Sequence, residues 1–530
     1  MSSSDVDVLI VGAGFAGMYM LHRLRGLGFT ARVLEAGTGV GGTWYWNRYP
    51  GARCDVESMQ YSYQFDDTLQ QEWTWSERYS PQPEILRYAN HVADRYDLRR
   101  DIIFNARVKS ATFDDATARW TLETDDGTRR MARFCVMATG CLSAPNKPKL
   151  KGLERFAGKV YHTGEWPHEG VDFTGQTVGV IGTGSSAIQS IPIIARQARQ
   201  LFVFQRTANY MVPAHNAPLD PGEQKAVKAD YATLRERARR NPGGIDIVFN
   251  ERSALAVSPE ERQREYEARW AVGGFTFMGS FIDLLFVKES NDTAANFVRG
   301  KIREIVKDPE TASALSPTNI IGCKRLCVDI DYWQTFNRPN VTLVDVGRAP
   351  IEAITEAGVM ANGREHAVDS LVLATGFDAM TGALLRVAIT GRDGRTLQDK
   401  WSEGPKTYLG LAMAGFPNLF TITGPGSPSV LTNMLPSIEQ HVEWIADCLA
   451  YMRQRGLTRI EPGTAAEEAW VAHARDVAGI SLRATCDSWY VGANVPGKPR
   501  VLMPYTGGFP AYVQKCQQVV ANGYEGFVLE

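Results

Sequence analysis

Two glycine turns carry the first chemistry that the chain declares. GAGFAG (12–17) and GTGSSA (182–187) each follow an apolar run and open a helical one. That arrangement cradles a pyrophosphate, because the helix N-terminus presents free N–H groups and the positive end of its dipole. Gly12 permits the sharp turn, Gly14 beside Phe15 lets backbone approach phosphate, and Gly17 lets helix and strand pack closely. In the second turn the candidates are Thr183, Gly184, Ser185, Ser186, Ala187, Ile188 and Gln189, with Ala187 in the third glycine's place. A lone glycine turn is weak; here strand, helix and a correctly spaced acid agree.

That acid is Glu35, 23 residues beyond Gly12 at the end of ARVLEAG, where a carboxylate grips ribose hydroxyls. The same spacing from Gly182 reaches Gln205, followed by Arg206 and Thr207. A carboxylate there would repel a 2′-phosphate, whereas neutral Gln205, cationic Arg206 and the Thr207 hydroxyl accept one. An arginine–phosphate bond contributes roughly 1.5–3 kcal/mol, enough for one to two decades of preference. The second turn therefore reads as an NADPH site.

After the first turn comes VGGTWYWNRYPGARCD (40–55). Flavin-disulfide reductases carry a GGT segment here that leads into a redox cysteine pair. This chain has Thr43, Trp44, Tyr45 and Trp46 instead, then Arg53 and a solitary Cys54. Aromatic rings beside Gly and Thr suit a planar isoalloxazine, so the first turn reads as an FAD site without dithiol chemistry. The bland alternative, an aromatic core turn, suits Trp46 and Tyr49. Eight cysteines with no CxxC pair point to reduced thiols in a cytosolic protein, not a disulfide framework. Eight histidines without ligand spacing imply no metal.

GCKRLCVDIDYW (322–333) sets Lys324 and Arg325 among small and apolar residues. Uncompensated buried charge is costly, so the pair is expected at a nucleotide phosphate and at the flavin. Trp489, near the start of SWYVGANVPGKPR, offers an indole N–H donor, although a structural loop tryptophan reads almost as well.

The elements that must position these residues exceed one core. At 530 residues two or three domains are expected. A composition of 44% hydrophobic and 22% charged residues is that of a soluble globular protein. A net charge of −2 gives no case for nucleic acid or an anionic membrane. Asp5 and Asp7 precede the apolar run 8–21 where a signal peptide would be basic, and no stretch reaches transmembrane length, so the expectation is cytoplasmic. The fold expected is α/β, with two Rossmann-like dinucleotide domains and a helical insertion. ATG at 138–140 and ATGF at 374–377 mark two crossings. They divide the chain into an FAD domain (1–140 and 376–530), an NADPH domain (150–219 and 318–375) and a charged helical insertion (220–317). FAGKVYHTGEWP (156–167) is read as the rigid linker between the two nucleotide sites.

FAGKVYHTGEWP resembles the fingerprint FxGxxxHTxxWP of Baeyer–Villiger monooxygenases, and GGTWYWNRYPGARCD resembles that family's second signature. The resemblance covers essentially the whole chain and is nearest the phenylacetone and steroid branch. GPGSPSVLTNML (424–435) looks like that branch's longer loop, which implies aryl, bulky or cyclic ketones. It implies FAD, NADPH and O2, with reduced flavin adding O2 to give a peroxide that attacks a ketone and yields an ester or lactone; sulfoxidation is a side activity. Arg325 matches the family's active-site arginine, Asp55 the carboxylate that orients it, Lys324 a 2′-phosphate contact, and Trp489 a tryptophan that holds NADP+. Tyr61, Val108 and Met434 complete the candidate cofactor contacts. His162 is assigned to coupling between domains, not to proton transfer. Cys141 departs from relatives that carry a polar amide there. A monomer is expected. The alternatives are a flavin N- or S-oxygenase, whose fingerprint lacks the WP ending, and a non-catalytic flavin protein, against which Lys324–Arg325 argues.

Overall fold

The structure is a computed structural model that describes residues 5–530; the first four residues of the 1–140 segment lie outside the described residues. The apolar run DVDVLIV forms β1 (Asp5–Val11), buried from Val8 onward. It pairs in parallel with β2 (Ala31–Leu34), which pairs with β3 (Ile102–Ile103). Three further strands complete this flank. β4 (Val108–Asp114) and β5 (Arg119–Thr124) run antiparallel to one another, and β6 (Arg129–Met137) returns parallel to β1. Buried and half-buried residues alternate strictly along β5, as for a strand with one face on the core.

The second sheet holds β7 (Lys159–His162), β8 (Thr177–Ile181) and β9 (Gln200–Gln205). β10 (Met211–Pro213) and β11 (Cys327–Asp329) pair apart from it. β12 (Val341–Asp345) joins β9, and β13 (Ala353–Ile354), β14 (Gly358–Ala361) and β15 (Arg364–Ala367) form a small meander. β16 (Ser370–Leu373) then enters between β8 and β7, giving five parallel strands in the order β12-β9-β8-β16-β7. The chain finally returns to the first sheet: β17 (Ala388–Thr390) pairs β4, and β18 (Leu419–Thr421) pairs β6.

The two ATG segments meet the two turns in the same way. Gly12 (φ +103°) lies so close to the chain leaving β6 that an added Cβ would sit 2.7 Å from the Ala138 carbonyl oxygen. Gly182 (φ +116°) is placed likewise, 2.4 Å from the Ala374 carbonyl oxygen. Both turns therefore need glycine twice over, for backbone angle and for space.

Helices Pro221–Ala229, Tyr231–Arg240, Pro259–Val272 and Lys288–Ile305 fill the insertion. Two start as local sequence dictates: Asp220 accepts from Glu223 N–H ahead of Pro221, and Ser258 from Glu261 N–H ahead of Pro259. Tyr266, Phe277, Phe281 and Phe297 bury against the second sheet's core.

Two expectations are corrected here. The stretch 156–167 does not merely span the sheets: KVYH is β7, an edge strand of the second sheet, and the crossings run through the residues after Ala138 and Ala374. Four residues with little alternation left that strand unreadable. Nor are all thiols reduced, since Cys323 and Cys486 form a disulfide. They stand 163 residues apart and meet only because the C-terminal loop folds back onto the segment before Arg325. The other six cysteines are free and buried.

Candidate active site between the two nucleotide turns

A cavity of about 1740 Å³ runs between the two turns. On the first side Gly12, Gly14 and Phe15 line it, with Thr43, Trp44, Trp46, Tyr61 and Val108. Gly17 stands behind the turn in helix α1 (Phe15–Gly26), where an added Cβ would collide with the Gly12 carbonyl oxygen. Buried Glu35 directly follows β2 and accepts from Ala13 N–H at 2.7 Å and Gly37 N–H at 2.7 Å. Burial pushes its carboxyl up, and these two donors oppose the shift. Trp44 Nε1 donates to the Tyr61 hydroxyl at 3.1 Å, locking both rings in the wall. Tyr45 is a correction. Its ring lies on Gly37 and Gly39 and its hydroxyl accepts from Thr38 N–H at 3.0 Å, so it braces the loop and does not line the cavity.

On the second side Thr183, Gly184, Ser185, Ser186, Gln189, Arg206 and Thr207 line the cavity. Thr183 Oγ1 donates to the Thr207 carbonyl at 2.7 Å. Ala187 and Ile188 face the core from helix α2 (Ser185–Gln197), not the cavity. Gln205 is corrected as well: it is buried, and its Nε2 donates to the Ala314 carbonyl at 2.7 Å, away from the cavity. Gln189 uses its amide on the first side, donating to the Arg53 carbonyl at 3.1 Å and accepting from Tyr49 Oη at 2.8 Å. Lys324 is half-buried beside Arg206, and neither makes an ion pair among the described residues. Burial first, and the Arg206 charge second, lower the Lys324 pKa. Two cations without a carboxylate suit a doubly charged phosphate.

Arg325 and Asp55 meet in the cavity lining. Nε donates to Oδ2 at 2.5 Å and Nη2 to Oδ1 at 2.8 Å, a two-bond fork. Nη1 donates to the Val430 carbonyl at 2.6 Å, and the Phe275 ring lies 5.0 Å from the guanidinium carbon. Burial works against the charge, but Asp55 more than offsets it and holds the guanidinium above the usual arginine range. Sequence reasoning missed Phe275 and the buried Tyr490, another close neighbour of Arg325. Adjacency to Trp489 is the only signal for Tyr490; for Phe275 it is the aromatic run FTFMGSFIDLLF (275–286), which reads as a substrate-pocket wall or, more commonly, as core packing.

The flanking residues have plainer duties. Arg53 Nη1 donates to the Tyr79 carbonyl at 2.8 Å. Burial pushes the Cys54 thiol well up, so it stays neutral. Met434 and Trp489 line the cavity. Cys141 is buried with Met380, Val430 and Tyr490, its thiol pushed up to about 11 by burial. His162 is buried and outside the cavity lining; Nδ1 accepts from Gly164 N–H at 3.0 Å, and Nε2 lies 3.3 Å from Thr375 Oγ1. Thr375 donates to the Asn146 carbonyl at 2.6 Å, so this histidine touches both crossings.

These residues fit two dinucleotides: paired glycine cradles that a Cβ would fill, a buried carboxylate on one side and unpaired cations on the other. A family model, pyridine nucleotide-disulphide oxidoreductase, matches residues 9–293. The chain is 42% identical to a Baeyer–Villiger monooxygenase of Pseudooceanicola batsensis, covering 99% of this chain and 96% of that one. It is also 42% identical to the acetone monooxygenase (methyl acetate-forming) of Gordonia sp. over 100% of each. Among solved structures, an oxidized steroid monooxygenase bound to NADP superposes with a TM-score of 0.95 at 53% identity over 99% of both chains.

Proposed function

Since the chain belongs to the Baeyer–Villiger monooxygenases, flavin-dependent oxidoreductases that use FAD and NADP(H), we propose that it converts a ketone to an ester or lactone. In the balanced reaction, ketone, O2, NADPH and a proton give ester, NADP+ and water. The observation that carries this reading is the Asp55–Arg325 fork inside a cavity shared by both turns. Bound FAD, reduced by NADPH, supplies the activation of O2; the remaining work falls to the chain.

Glu35 and the first turn would hold the adenosine and pyrophosphate of FAD, with Trp44, Trp46 and Tyr61, which line the same cavity, available to its flavin ring. Lys324 and Arg206 take the 2′-phosphate of NADPH, with Thr207 beside them. Arg325 presents a fixed cation where the ketone oxygen gathers negative charge, and Asp55 keeps that cation aimed without reorganisation at the moment of reaction. Trp489, which lines the cavity, would help hold NADP+. His162 positions the crossings and takes no proton. The division into a discontinuous FAD domain, an NADPH domain and an insertion is part of this reading, supported by β17 and β18 joining the first sheet and β16 the second. A cytoplasmic monomer is the accompanying inference. Among the described residues no helix is long and apolar enough to cross a membrane, and gel filtration checks the monomer.

The test is a set of aryl, cyclic, acyclic and steroid ketones given to the FAD-loaded protein with NADPH. Ester formed in step with NADPH consumed supports the reading. Hydrogen peroxide alone, or heteroatom oxides alone, overturns it.

A further inference from the structure

The Cys323–Cys486 bond, with Cα atoms 6.0 Å apart, joins two segments that the cavity uses. Cys323 immediately precedes Lys324 and Arg325, and Cys486 lies three residues before Trp489. Buried Tyr490 of the same loop neighbours Arg325, and two hydrogen bonds reinforce the junction. Arg483 Nε donates to the Gly322 carbonyl at 3.2 Å, and Leu482 N–H to the Leu285 carbonyl at 2.9 Å. Beyond Trp489 the loop is fastened elsewhere: Lys498 Nζ lies 2.5 Å from Asp378 Oδ1 and 2.7 Å from the Ala379 carbonyl, and Asn494 donates to the Phe377 carbonyl at 2.7 Å. The loop is thus a strap pinned at one end to the crossing after β16 and at the other, covalently, to the segment that carries Arg325. Cys323 is buried, whereas Cys486 is half-buried between exposed Thr485 and Asp487. A small thiol can reach the Cys486 sulfur first.

We propose that the Cys323–Cys486 disulfide is a reducible positioning element: intact, it holds the Trp489 loop against the Lys324–Arg325 segment, and its reduction loosens the grip on NADP(H). The inference rests on the functional reading above for the identity of the nucleotide. Reduction balances with a dithiol as electron donor. One thiolate of the dithiol attacks the Cys486 sulfur, the S–S bond breaks, and Cys323 leaves as a thiolate that takes up a proton. The second thiol of the reagent then attacks its own bonded sulfur and releases Cys486 as a thiol. Two electrons and two protons pass to the protein, and the reagent leaves as a cyclic disulfide.

The test uses the full chain loaded with FAD, isolated without reductant, before and after dithiothreitol, beside Cys486→Ser. Peptide mapping after alkylation reads the cross-link, perturbation of the flavin spectrum reads NADP+ binding, and limited trypsin digestion reads loop freedom at the Arg500–Val501 bond. We expect the 323–486 cross-linked peptide in the untreated protein. Reduction should raise the NADP+ Kd about fivefold, the lower end of ordinary coupling between sites, and speed cleavage after Arg500 several-fold. Cys486→Ser should match the reduced protein and ignore dithiothreitol. A missing cross-link, or binding and cleavage unchanged by reduction, overturns the proposal. A chain that binds neither FAD nor NADP+ overturns the functional reading instead, and the cleavage rates still decide the tether.

Discussion

Asp55 and Arg325, 270 residues apart in the chain, meet in a two-bond fork in the wall of the cavity between the two nucleotide turns. One partner follows the first turn and the other follows the helical insertion. The cation that could stabilise an oxyanion is therefore built only when both halves are in place.

Arg325→Ala should abolish most ester formation while NADPH oxidation persists in part. Losing a preorganised charge stabiliser costs on the order of 10²–10³ in rate, about 2.7–4 kcal/mol. Arg325→Lys should rescue poorly, because a point charge cannot make the fork with Asp55. Product chromatography alongside NADPH absorbance separates the two activities; normal ester yield from Arg325→Ala would remove the role assigned to it.

Asp55→Asn keeps the shape but leaves the guanidinium short of its counter-ion. Both side chains are about one-fifth exposed, at 23% and 22%, so the stability cost should be moderate, roughly 1–3 kcal/mol. Thermal unfolding checks that figure. Ester formation should fall along with it, and a variant equal to the parent in both would show that Arg325 needs no orienting partner.

Arg206→Ala and Lys324→Ala should each reduce the ratio of kcat/KM for NADPH over NADH by one to two decades, the worth of about 1.5–3 kcal/mol at a phosphate. Gln205→Ala should alter that ratio little, since its amide is spent on the Ala314 carbonyl. A larger effect from Gln205 than from Arg206 would reverse this assignment.

Much of the cofactor framework was legible because it is local. Gly12, Gly14, Glu35 and Arg206 lie within short spans whose spacing follows from one strand, one turn and one helix. Tyr45 and Gln205 sit in equally readable segments, yet their side chains point where packing sends them: Tyr45 onto two glycines, Gln205 toward the insertion. No spacing rule carries that direction. The Cys323–Cys486 bond, Phe275 over Arg325 and His162 touching Thr375 are contacts between distant segments, and only the folded chain reveals them.

His441 gives a pH prediction. Burial lowers its pKa to about 3, and its ring accepts from Thr423 N–H at 3.0 Å and meets the Tyr512 hydroxyl at 2.7 Å. The folded pKa is depressed, so its contribution is present above the unfolded value of 6.5 and is lost as pH falls toward about 3. Across that window one proton costs roughly 1.4 kcal/mol per pH unit. Neighbouring Glu439, raised by burial to about 7, acts in the opposite sense, losing its contribution as pH rises through that value. Urea unfolding of the parent and His441→Gln between pH 4 and 7 isolates the histidine: the difference between them should change with pH, and a constant difference would contradict the assignment.

The most direct measurement is turnover of a ketone with NADPH under isotopically labelled O2, followed by mass spectrometry of the product. The expected product is an ester or lactone carrying one labelled oxygen atom, in an amount that tracks NADPH consumed. Label found only in hydrogen peroxide and water, with the ketone returned unchanged, would contradict it.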